Sequence, residues 1–100
     1  MNSKILALLG FASKAGKLSY GMNNTEAALK SGVSCLAVSA ADTSEKSKKE
    51  LIFQADKYGT ESMVLEGVTA ETLSKAVGRQ CSILSVNDTG FADAIKNGKD

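Results

Sequence analysis

Two short apolar runs, Ser34–Ala40 and Cys81–Val86, constrain the fold of this chain more than any other feature. Each is short for a helix, and each is nearly continuous. That pattern predicts strands covered on both faces, as in the centre of an α/β sheet. The segments around them instead repeat at helical spacing. Ile5, Leu6, Leu8, Leu9 and Ala12 form a broad apolar face and predict a helix over Ser3–Ala15. Lys14 suits its negative end. A second helix is expected over Met22–Ser31, with Met22, Ala27, Ala28 and Leu29 inward and Gly32 as C-cap. Thr43-Ser44 cap a third, Ser44–Tyr58, which turns Leu51, Ile52 and Ala55 inward and leaves Lys46, Lys48, Lys49 and Glu50 solvated. Thr69–Val77 and Asp88–Lys96 complete the helices, with Leu73, Ala76 and Val77, then Phe91, Ala92 and Ile95, on their apolar faces. Lys17–Tyr20 and Ser62–Leu65 read as short strands. Helices alternating with strands predict an α/β fold with helices on both sides of one sheet.

The 100 residues suffice for one domain with a real core, expected to span 1–100. No apolar run reaches the length of a membrane helix. Ile5–Ala12 behind Lys4 has the look of a signal core, but it runs straight into Ser13-Lys14 and reads as a core helix. There is no histidine, and Cys35 and Cys81 stand alone. No metal site and no cofactor follow from such a set, and reduced cytosolic thiols are expected. The net charge of +1 excludes a strong global field. Met1–Cys35 nevertheless carries Lys4, Lys14, Lys17 and Lys30 against Glu26 alone. This is a weak basic patch, which a solvated helix face explains equally well.

Gly10 to Leu18 has the outline of a phosphate-binding loop. Its first glycine is one residue too far from Gly16-Lys17, and Leu18 replaces the hydroxyl residue. It also leaves a helix for a strand, the reverse of the required order. Asp42 and Asp88 follow the two apolar strands, where α/β enzymes place catalytic groups, but both sit where a helix cap is wanted. No catalytic constellation emerges, and no enzyme is expected. Gly21–Ala28 is different. Gly21 can take a positive φ angle. Asn23, Asn24 and Thr25 suit a helix start whose N–H groups point outward, an arrangement that favours anions. Asn also carries the donor–acceptor pair that reads a base edge. A capped helix after a turn explains the same residues.

Leu8–Leu18, Gly21-x-Asn23-x-Thr25, Lys30-x-Gly32, Leu36–Asp42 and Asn87-Asp88-x-Gly90-Phe91-Ala92, in that order, resemble the ribosomal protein L-seven-Ae family. The first and last resemble its small bacterial YlxQ-like branch. The resemblance spans nearly the whole chain. It implies a three-layer α/β/α sandwich around a mixed four-stranded sheet. It also implies a cytoplasmic, ribosome-associated protein that binds structured RNA, the kink-turn, without a cofactor. A kink-turn bends sharply at tandem G·A pairs and opens base edges that regular A-form RNA hides. By resemblance, Gly21 allows close approach, Asn23 reads a base and Asn24 is a second reader. Lys14, Lys17 and Lys30 meet phosphates, and Arg79, in the loop Val77–Cys81, stacks or pairs with phosphate. The chain departs from the family in Asn24, where Glu is common, in Ala27, where Lys is common, and in Val33 and Cys35, where basic residues are usual. Weaker phosphate neutralisation is the expected result. Two rivals to RNA binding remain: a protein-interaction module on the same face, and an enzyme acting through Asp42 or Asp88.

Overall fold

The structure, a computed structural model, describes residues 3–98. In chain order it contains α1 (Ser3–Lys14), β1 (Leu18–Tyr20), α2 (Met22–Ser31), β2 (Leu36–Ala40) and α3 (Glu45–Lys57). There follow β3 (Ser62–Leu65), α4 (Ala70–Val77), β4 (Ile83–Val86) and α5 (Thr89–Asn97). The strands form one sheet in the order β1-β4-β2-β3. β4 runs antiparallel to both β1 and β2, and β2 pairs with β3 in parallel. The sheet is therefore mixed, as expected.

The two apolar runs supply its central strands, β2 and β4, in which every residue is buried. Alternation along them separates two cores. Leu36, Val38, Ala40, Leu84 and Val86 pack with Ile5 and Leu9 of α1, Leu73 and Val77 of α4, and Ala92 and Ile95 of α5. On the other face Ala37 and Ile83 meet Leu29 of α2 and Leu51 and Ala55 of α3. This gives three layers, with α1, α4 and α5 over one face of the sheet and α2 and α3 over the other.

Several expectations need correction. β2 and β4 each begin two residues inside their apolar runs. The chain is still approaching the sheet at Cys35, whose N–H donates to the Val86 carbonyl at 2.7 Å. Ile52 is 42% exposed, because Leu51 and Ala55 set the buried stripe of α3 and Ile52 lies about 100° round the helix from Leu51. Ala27 is also exposed, and Thr25 takes an interior position beside Ala28 and Leu29. Lys48 is not solvated: its ammonium donates to the Ala41 carbonyl at 2.6 Å and meets Glu45 at 3.3 Å.

The caps explain most of the boundaries. Ser44, Thr69 and Asp88 accept from the N–H groups of Ser47, Thr72 and Phe91. Asp42 serves another helix than the one that follows it, accepting from Ala70 N–H at the start of α4 at 2.7 Å.

Candidate nucleic-acid interface

The turn from β1 into α2 is built on Gly21. Its N–H donates to the Ile83 carbonyl at 2.8 Å, which fixes the start of α2 against β4. Its backbone angles are φ 87° and ψ 162°, a region essentially reserved for glycine. Gly21 is itself the N-cap of α2, and no side chain caps this helix. The expected capping by Asn23, Asn24 or Thr25 is thus not what the structure contains, because these residues lie within the first turn. Thr25 is the first whose N–H reaches a carbonyl across the turn, that of Gly21 at 3.0 Å. The amides before it mark the positive end of the helix. Thr25 Oγ1 is buried without a hydrogen-bond partner.

The two asparagines diverge. The Asn24 side-chain amide donates to the Tyr20 carbonyl at 2.9 Å, which turns it towards β1. There it lines a groove of about 560 Å³ with Ser19, Tyr20, Val33 and Arg79. Asn23 is exposed and lines a different groove, of about 360 Å³, with Lys30, Gln54, Lys57 and Tyr58 between α2 and α3. Ala27 borders both and forms the ridge between them.

Tyr20 organises the first groove. Its hydroxyl lies 2.5 Å from Ser13 Oγ, which donates to the Val77 carbonyl at 2.6 Å. Since a hydroxyl has one proton, Tyr20 is the donor to Ser13. This chain of bonds joins the ends of α1 and α4 to β1. Arg79, just beyond α4, lies with its guanidinium carbon 4.8 Å from the Tyr20 ring centroid. A second set of bonds links Ser85 Oγ to Ser34 Oγ at 2.7 Å and to Asn87 Oδ1 at 2.6 Å, and Asn87 Nδ2 donates to Ser19 Oγ at 2.8 Å. Ser19 is left with a hydroxyl proton to offer the groove.

Among the basic residues, Lys14 is exposed at the end of α1, and Lys17 is exposed in the turn to β1, where its carbonyl accepts from Asn87 N–H at 2.8 Å. Lys30 is exposed on the α3 side of α2. The structure therefore groups Asn24 with Arg79, and Asn23 with Lys30. The sequence reading missed Ser19, Tyr20, Gln54, Lys57 and Tyr58. Tyr20 had a local signal, an aromatic residue directly before a turn glycine. The α3 residues had none, since only the packing of α3 on α2 brings them to Asn23.

Asp42 and Asp88 cap helices and line none of these grooves. A larger groove between α4 and the approach to β4, about 690 Å³, includes Glu71, Ser74, Lys75 and Cys81 but neither aspartate. Among the described residues no three of His, Cys, Asp or Glu cluster as metal ligands. Cys35 and Cys81 are free thiols. Burial pushes the Cys81 thiol up, and Arg79 partly opposes that shift. No helix of the described residues is long and apolar enough to cross a membrane.

A protein of unknown function from Bacillus halodurans C is similar in structure, with a TM-score of 0.88, 26% identity and 94% of each chain covered. The Giardia lamblia 15.5kD RNA binding protein shares the fold, with a TM-score of 0.76 and 16% identity over 95% of this chain and 87% of that one. Among curated protein sequences none matches. The pattern of the ribosomal protein L7Ae/L30e/S12e/Gadd45 family matches residues 3–96, and the chain belongs to that family.

Proposed function

We propose that this protein binds structured RNA of the kink-turn type through the start of α2, as a single domain over residues 1–100. In this reading it is cytoplasmic, ribosome-associated and without catalytic activity, and it belongs to the small bacterial YlxQ-like branch. The observation that carries the proposal is the uncapped start of α2, held by Gly21 and flanked by two outward-facing asparagines. Amides at such a helix start attract a phosphate, and Gly21 has no side chain to keep the RNA backbone away. Asn23 offers a donor and an acceptor to a base edge. Asn24 donates one N–H of its amide to Tyr20, which leaves its oxygen as an acceptor. An acceptor is what the amino group of a guanine requires, so Asn24 takes over the part that a glutamate commonly plays in the family. Arg79, steadied on Tyr20, supplies a charge and a flat face for a base that leaves the stack. Lys14 and Lys17 add phosphate contacts. Family membership supports this reading, as does a structural neighbour described as an RNA binding protein.

Ala27 and the half-exposed Val33 on the same face favour a second reading, a protein-interaction module with little RNA affinity. Titration of the protein with a kink-turn RNA and with a control whose G·A pairs are disrupted separates the two. Discrimination between the RNAs supports the first reading, and its absence at every salt concentration supports the second.

A further inference from the structure

We propose that the groove between α2 and α3 carries one RNA stem away from the site at Asn23. In it Lys30 and Lys57 meet stem phosphates, and Gln54 and Tyr58 meet ribose hydroxyls. The inference rests on the RNA-binding reading above and extends that interface onto α3, to which no local sequence pattern points.

Continuity is the first ground. Asn23 lines this groove together with Lys30, Gln54, Lys57 and Tyr58. A nucleotide read by Asn23 has neighbours in its own strand, and those neighbours pass the groove walls. Charge is the second. Lys30 and Lys57 are both exposed, and the opposing carboxylates are the half-buried Glu26 in the lining and Glu50 at its edge, which is engaged by Gln54. The two exposed ammonium groups are placed to meet a phosphate backbone. Lys57 also lies in the groove that Ala27 borders, so α3 supplies a positive charge beside the position where α2 has none.

Hydrogen-bonding capacity is the third ground. Gln54 Nε2 donates to Glu50 at 2.8 Å, which leaves the Gln54 side-chain oxygen as an acceptor. Tyr58 is the C-cap of α3, and its N–H bonds to the carbonyls of Gln54 and Ala55, both at 3.2 Å. The residue is 36% exposed, with Lys57 Nζ 5.5 Å from the ring centroid. An exposed phenol and an oriented amide oxygen suit ribose hydroxyls, which donate and accept. Double-stranded RNA is recognised mostly through these hydroxyls and its phosphates, with little sequence reading.

The test compares three RNAs with the same kink-turn core, one with two long stems and two in which one stem or the other is trimmed to its first few pairs. Wild type, Lys57→Gln, Tyr58→Phe and Asn23→Ala are titrated with each, and thermal melts establish that every variant is folded. Lys57→Gln is expected to weaken binding of the long-stem RNA and to lower its salt slope by about one. Tyr58→Phe is expected to weaken it about three- to tenfold. Both variants bind the RNA that lacks the relevant stem as wild type does, and 2′-deoxy substitution in that stem abolishes the effect of Tyr58→Phe. If Asn23→Ala loses affinity while both groove variants bind the long-stem RNA normally, the groove inference falls and the RNA reading stands. Equal losses on all RNAs, whatever the stem, also overturn it. If wild type binds none of the RNAs, the RNA reading fails and takes the inference with it.

Discussion

Asn23 and Asn24 are neighbours in the chain but line different grooves beside α2: Asn24 lies with Tyr20 and Arg79, and Asn23 with Lys57 and Tyr58. The ridge at Ala27 divides them. Two consecutive asparagines therefore serve separate strips of the interface, and their substitutions have separable consequences. Asn23 caps nothing, so Asn23→Ala is expected to leave the melting temperature essentially unchanged. Asn24→Ala removes its bond to the Tyr20 carbonyl and is expected to cost about 0.5–1.5 kcal/mol. Thermal melts of the two variants check this. An Asn23→Ala protein that melts well below wild type would restore a capping role.

Gly21→Ala tests the turn. No atom lies within 4 Å of the Cβ that alanine would add, so the penalty is backbone strain alone. At this φ and ψ it is expected to be about 1–3 kcal/mol. A domain of this size loses roughly 4–8 °C in melting temperature per kcal/mol. An unchanged melting temperature would mean that the turn does not need glycine.

The thiols differ in setting. Cys35 is partly exposed, whereas Cys81 is buried and has a raised pKa. An alkylating reagent is expected to label Cys35 first and Cys81 slowly. Cys81 also gives stability a pH dependence. Below its ordinary thiol value both folded and unfolded chains hold the proton. Above that value the unfolded chain releases it and the folded chain keeps it, so stability falls as pH rises towards the raised folded value. Cys81→Ala is expected to flatten this alkaline decline, and denaturant titrations across that range measure it.

Lys14→Ala and Lys17→Ala are expected to weaken RNA binding without changing which RNA is preferred, because phosphate contacts position but do not specify. Each should lower the salt slope by about one. Unchanged slopes would remove these residues from the interface.

Most of the architecture was legible because local rules and the global fold agree. The runs around Leu36–Ala40 and Ile83–Val86 are apolar on both faces because the sheet is covered on both. The cap residues Ser44, Thr69 and Asp88 stand where the helices begin. The start of α2 misled because Asn and Thr are capping residues by type, whereas Gly21 alone tolerates the backbone that the turn demands. Ile52 misled because an apolar residue beside the buried stripe of a helix looks the same in sequence as one within it. The site was legible only in its α2 half. Arg79 on Tyr20, and Lys57 and Tyr58 beside Asn23, are meetings of distant segments, which no local pattern records.

The central claim is that the start of α2 reads a kink-turn, and a titration against kink-turn RNA and its G·A-disrupted control, with wild type and Asn23→Ala side by side, tests it most directly. Wild type is expected to prefer the kink-turn clearly, with the preference strongest at low salt. Asn23→Ala is expected to lose about 1–3 kcal/mol on the kink-turn and little on the control, as other specific base contacts do. Equal binding of the two RNAs by wild type at every salt concentration would contradict the claim.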